Sequence, residues 1–334
     1  MQRVEEALAH HYLFALCQRL YLEGMTPETL AIVQEVGELA TALPREVALD
    51  DLQAAQYELF GFNLFPYESM FLGDEQLLGT AIGEAVGQQY ARLGYVPTQQ
   101  AGALDHVGEE LGVLAYLLAA EADACEDQRV AVVQRLQGEQ RQFLEAHLLR
   151  WLAPFVIAVQ RHVDRFYAEV ATITLTLVAE RYQTLVGREA SSPAQRIGAI
   201  NGWQLPAPPA LVADPQTSLR DIAGFLTTPA YSGLYLSRYQ INHLGRQLRL
   251  PRGFGSREQM MSNLLRTAAQ YDAVPALVRG LRTEAVTWQE AYAAVDATQP
   301  GLRPFTEPWL QRAQQTSAML AEMAHLIARE AATG

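Results

Sequence analysis

Lysine is absent: all 25 basic residues of the 334-residue chain are arginines. That excludes a phosphate-loop lysine, a Schiff-base lysine and a lysine general base. Cysteine is nearly absent too. Cys17 and Cys125 lie far apart with no Cys-x-x-Cys spacing, so neither a disulfide framework nor a cysteine zinc site is indicated. No window approaches the ~20 continuous apolar residues of a membrane helix. The start, MQRVEEALAHHY, carries acids where a signal peptide has its basic region. The expected location is the cytoplasm, with no stable membrane insertion.

What is present is apolar and acidic. Apolar residues make up 49% of the chain and charged residues 19%, the composition of a globular protein with a real core, and the length suggests two domains. Residues 1–190 hold 27 Asp and Glu against 12 Arg, a balance of −15, whereas residues 191–334 hold 10 against 13, or +3. The first part repels nucleic acid and attracts a basic ligand.

Helical periodicity runs through the chain, without strand alternation. Leu8, Tyr12, Leu16 and Leu20 mark a first helix over 4–21. Thr26-Pro27-Glu28 opens a second, to about Leu43, and Asp50 or Asp51 caps a third. The segment GFNLFPYESMFLGDE, Gly61 to Glu75, is a loop, because Pro66 holds Phe65 extended. Asp74 is placed to cap the next helix, whose face is Leu78, Ile82, Val86 and Tyr90. Asp127 is expected to start a long helix that breaks at Pro154, and Phe155 to about Gly187 forms another. His147 falls on the core-facing stripe. Residues 191–217, rich in proline and small residues, read as a linker between a domain at 1–190 and a smaller helical domain at 218–334. In the latter, Ser218/Asp221, Ser256/Gln259 and Thr287/Glu290 have the spacing of capping boxes. The stretch Gly245 to Glu258 surrounds a Gly-rich loop with Arg246, Arg249, Arg252 and Arg257. It reads as an anion site or, more simply, as a solvated basic face.

The stretch AGALDHVGEELGVLAYLL, Ala101 to Leu118, places Asp105, His106, Glu109 and Glu110 at the start of a helix whose apolar face is Val107, Leu111, Leu114 and Leu118. Three readings fit. Asp105 caps the helix while His106 is a satisfied boundary residue and the glutamates are solvated. His106 and Glu110, one turn apart, ligate a metal, with His147 as a third ligand in a helical metal-dependent enzyme. Or the cluster binds a peptide.

The third reading comes from a resemblance. LFPYESMFLGDE (64–75), LDHVGEELGVL and FLEAHLLRWLAPF (143–155) resemble, in this order, three elements of the TorD/DmsD/NarJ-type redox-enzyme maturation chaperones. The resemblance covers roughly residues 10–187. It implies an all-α helical bundle, no enzymatic activity, no cofactor, and a cytoplasmic chaperone. Its partner would be a molybdoenzyme catalytic subunit, bound through the twin-arginine signal peptide or N-terminal segment until cofactor insertion is complete. The family's peptide-binding positions fall on Pro66, Tyr67, Glu68, Ser69, Asp105 and His106. Glu68, Asp105 and Glu109 suit guanidinium groups, Phe65, Tyr67 and Phe71 suit the apolar run, and His106 offers a pH response. Asp105→Ala or Tyr67→Ala is expected to weaken binding with little loss of stability. Trp151 and Phe155 are assigned to the core. Tyr67 departs from a common tryptophan and Ala103 from a common proline, which blurs the branch and hence the client. The resemblance leaves the last 140 or so residues unexplained, with client contact and self-association into a homo-oligomer both open.

Overall fold

The computed structural model describes residues 2–74, 78–98, 101–189, 203–211, 214, 216–251 and 253–333, and among these no strand forms. The chain divides into two compact units. One is Met1–Met70 with Leu77–Trp203, and the other is Phe71–Gln76 with Gln204–Gly334. Of the expected linker at 191–217, residues 191–202, 212, 213 and 215 lie outside the described residues.

The first unit is built around two helices, α1 (Gln2–Leu22) and α7 (Val107–Glu126), which share the most extensive helix contact in the molecule among the described residues. Glycines make that closeness possible. A Cβ on Gly108 would stand 2.6 Å from Leu22 Cγ, and one on Gly112 would overlap the Tyr95 hydroxyl and Gln18. Almost every face of α7 from Val107 to Leu118 is buried, Tyr116 excepted, so it is a central helix rather than a one-sided one.

Between them come α2 (Pro27–Val33), α3 (Gly37–Ala42), α4 (Leu49–Gln56), a π-helical turn (Tyr57–Asn63), α5 (Glu68–Leu72) and α6 (Ala81–Leu93). Thr26 caps α2 as expected, in reciprocal bonds with Thr29, but the helix stops at Val33 and restarts at Gly37. The π-helical turn packs Phe60 against Phe155, Tyr21 and Tyr167.

After α7 follow α8 (Val130–Ala146), α9 (Leu148–Gln160) and α10 (Arg165–Glu189). The break expected at Pro154 falls instead at His147, whose backbone (φ −126°, ψ −91°) is non-helical, and α8 and α9 meet at 55°. Pro154 sits inside α9. Asp127 ends α7 instead of opening α8, and the helix expected over 155–187 is interrupted at 161–164, where Asp164 caps α10 by accepting from Tyr167 N at 2.8 Å. No single helix among the described residues is long and apolar enough to cross a membrane.

The second unit contains α11 (Leu219–Thr227), α12 (Pro229–Ser232), α13 (Arg238–Gln247), α14 (Arg257–Gln270), α15 (Val274–Thr298), and α16 (Arg303–Thr333). Ser218/Asp221 and Ser256/Gln259 form the expected boxes, and Ser237/Gln240 forms another. Thr287 caps nothing: it lies inside α15 and donates to the Thr283 carbonyl at 3.0 Å. Long α15 and α16 pack along each other around Trp288, Tyr292 and Trp309. At the end of α12, Gly233 has φ +73° and an added Cβ would come 2.5 Å from Ala313 N, so a side chain there is excluded twice over.

Candidate functional site

Tyr67 and His106 pair as an isolated antiparallel bridge. Glu68 N donates to Asp105 O and Val107 N to Pro66 O, both at 2.9 Å, and the two rings meet edge to face at 5.0 Å. Two of the three motif segments are thereby joined backbone to backbone. Asp105 adds a side-chain link, accepting from Ser69 N at 2.8 Å in the first turn of α5. It caps a helix across the loop, not the helix it precedes.

His106 takes that role on α7, its Nδ1 accepting from Gly108 N at 3.0 Å. Burial pushes its pKa down to about 3, so the imidazole is neutral and the expected pH response of His106 is not supported.

The third motif segment arrives through His147. Its Nδ1 lies 3.0 Å from Glu68 Oε2, and both side chains are buried. One turn on, Trp151 Nε1 donates to Glu110 Oε2 at 3.2 Å. Glu68, Asp105 and Glu110 thus form a buried acidic cluster, with the partly buried Arg150 guanidinium close enough to favour Glu68 ionisation. Burial, and then the neighbouring Glu68 and Asp105 charges, drive the Glu110 carboxyl well above the usual range. Burial raises Glu68 as well, opposed by its bond to His147. Burial therefore biases Glu110, more strongly than Glu68, toward carrying a proton.

That proton has a measurable consequence. A pKa raised on folding means that the stability the neutral carboxyl provides is present below the unfolded value, ~4.3, and is lost as pH rises toward the folded one. Glu110→Gln keeps an acceptor for Trp151 and has no proton to lose. As pH rises above that unfolded value the variant should gain on the wild type in denaturant titrations, with a slope of at most about 1.4 kcal/mol per pH unit. Parallel pH curves would show that Glu110 is ionised in the fold.

Of the eight residues assigned to peptide binding, Phe65 and Tyr67 are half-buried, while Pro66, Glu68, Ser69, Asp105, His106 and Glu109 are buried. Glu109 stands apart from the acidic cluster. It accepts from Tyr95 OH (2.9 Å), from Thr98 N (2.9 Å) and from the Thr98 hydroxyl, so its oxygens hold the 94–98 turn. Phe71 does not line a groove beside Tyr67: it is fully buried and stacks on Tyr235 in the second unit. Arg257 is no solvated charge either, since it is buried with its guanidinium 4.2 Å above the Tyr235 ring. Arg252 lies outside the described residues. No group of three or more His, Cys, Asp or Glu among the described residues is placed to hold a metal. The His106, Glu110 and His147 set does not converge: His106 Nδ1 faces its own helix and His147 Nδ1 faces Glu68.

One polar cluster escaped the sequence reading. Arg181 of α10 pairs with Glu121 of α7 and donates through Nε to Gln140 of α8 at 2.8 Å, while Glu121 also accepts from Gln140 Nε2 at 2.8 Å and from Gln137 Nε2 at 2.6 Å. Its signal was available, because each of Glu121, Gln140 and Arg181 sits on an apolar stripe at helical spacing.

Among its described residues this unit is all-helical, with a proline-aromatic loop paired to the start of a central helix over buried carboxyls. Residues 29–156 match the family described as nitrate reductase delta subunit, the NarJ/TorD-type redox-enzyme maturation chaperones. No curated protein and no solved structure matches the chain.

Proposed function

We propose that this protein is a cytoplasmic chaperone for a molybdenum-containing oxidoreductase subunit. It binds the client's twin-arginine signal peptide or N-terminal segment and holds it until cofactor insertion and assembly. The observation that carries this reading is the family match over 29–156, which spans all three motif segments that Tyr67, His106 and His147 tie together. Phe65 and Tyr67, the half-buried members of the set, offer the apolar contact. Glu68 and Asp105 act from beneath: they fix the loop and lend negative potential, which an arginine pair outside would feel through a medium of lower dielectric than water. The −15 balance of residues 1–190 adds a longer-range attraction.

The test is a titration of the full chain with a synthetic peptide carrying two adjacent arginines and an apolar run. Affinity should fall as salt rises, and Tyr67→Ala should weaken binding by about tenfold while leaving the melting temperature within a few degrees. Salt-insensitive binding, or a Tyr67→Ala variant that binds as the wild type does, would remove the charge recognition or the site respectively.

A further inference from the structure

The second unit holds two adjoining cavities. One, of about 500 Å³, is lined by Asp74, Asp214, Asp221 and Glu258 together with Arg220. The other, of about 280 Å³, is walled by apolar side chains out to Met319. They share Pro209, Ala210, Leu211, Phe225 and Tyr231, so they form one groove with an acidic end and an apolar end.

Each of the two guanidiniums of the groove has a partner, while the buried Arg312 Nη1 has none among the described residues. Arg220 pairs with Glu258 at 3.1 Å, and Arg312, at the apolar end, donates to the Pro206 carbonyl at 3.0 Å. Asp221 caps α11 through Ser218 N and Oγ, which holds its carboxyl below the usual range and therefore charged. Asp214 accepts from Gln216 N at 2.9 Å. Among the described residues Asp74 accepts from the Tyr231 hydroxyl alone, at 3.4 Å, and Tyr231 stands where the two cavities join. The acidic end keeps an excess of negative charge next to an apolar wall.

We propose that this groove docks an extended segment of a partner protein in which an arginine or lysine is followed two residues later by a bulky apolar side chain. In an extended chain, side chains two apart point the same way about 7 Å apart, enough to straddle Tyr231. The cation answers Asp74 and Glu258, and the apolar side chain lies against Phe225 and Met319. Charge complementarity selects this occupant, because a neutral or acidic segment would desolvate the carboxylates without compensation. The groove shares no residue with the Glu68/His147 cluster, and the inference holds whichever client the first unit binds.

The test uses the full chain and a labelled peptide containing Arg-Gly-Leu twice, with Glu-for-Arg and Ser-for-Leu versions as controls. Asp74→Asn/Asp214→Asn/Glu258→Gln keeps every acceptor and removes three charges; Met319→Glu puts a charge at the apolar end. The wild type should bind the first peptide saturably and both controls at least about tenfold more weakly. Either variant should lose at least about tenfold in affinity, the triple variant with a flatter salt dependence, and Tyr67→Ala should change nothing. No saturable binding, binding that both groove variants retain, or binding abolished by Tyr67→Ala would overturn the proposal.

Discussion

Glu121→Ala should cost about 3–5 kcal/mol of unfolding free energy. The carboxylate it removes pairs with Arg181 within the cluster that joins α7, α8 and α10, and Arg181 is itself buried. Without Glu121 the buried guanidinium loses this carboxylate, while its bond to Gln140 Oε1 remains. Gln137 and Gln140 lose their acceptors at the same time. Urea denaturation gives the number directly. Glu121→Ala/Arg181→Met should recover much of the loss, because apolar groups of similar volume often replace a buried pair at little cost. A single variant that loses less than about 1 kcal/mol, the range of exposed pairs, would mean that the pair is solvated.

Asp105→Ala carries the second large effect, and here the structure reverses the expectation of an unperturbed fold. The side chain is fully buried and caps α5 through Ser69 N, so truncation strands that N–H and frees the loop that Tyr67 occupies. The expected cost is about 1–3 kcal/mol. Loss of peptide binding should accompany it, because Tyr67 and Glu68 hang on the same backbone pairing. Asp105→Asn separates the two contributions. It keeps an acceptor for Ser69 N and removes the charge, so stability should hold while binding to an arginine-bearing peptide falls. If Asp105→Asn binds as tightly as the wild type, the Asp105 charge has no part in recognition.

Much of this was legible in the residues. The 3.6 period gave the all-helical class, and the spacing of Ser218/Asp221 and Ser256/Gln259 placed helix starts to the residue, because a capping box is a local device that needs no tertiary partner. Caps assigned from acids alone fared worse. Asp74, Asp105 and Asp127 all stand near helix starts in the sequence, yet α6 starts after Thr80, α7 after His106 and α8 after Arg129. An aspartate satisfies whichever backbone N–H the fold brings to it, and for Asp105 that donor is 36 residues away.

The break at His147 was hidden for the same reason. Proline is the visible breaker, but Pro154 is accommodated within α9, while the turn comes where a buried imidazole reaches Glu68 across 79 residues. The site residues were named by type and misjudged by exposure: spacing puts Glu68, Asp105 and Glu109 at a helix start and a loop, and only the fold shows that the loop closes over them. The division of the chain was half visible. The Pro-rich stretch marked the C-terminal unit, but nothing in the sequence announced that Phe71–Gln76, at the end of the motif loop, belongs to that unit through Phe71 and Tyr235.

The most direct test of the chaperone reading is recovery of the tagged protein from a lysate of its native cells, with the co-purifying chains identified and metal assayed on the same sample. A molybdoenzyme catalytic subunit should co-purify, and should be lost from the Tyr67→Ala and Asp105→Asn proteins. A protein recovered without a client and carrying one metal ion per chain would contradict the chaperone reading and return His106, Glu110 and His147 to consideration as ligands.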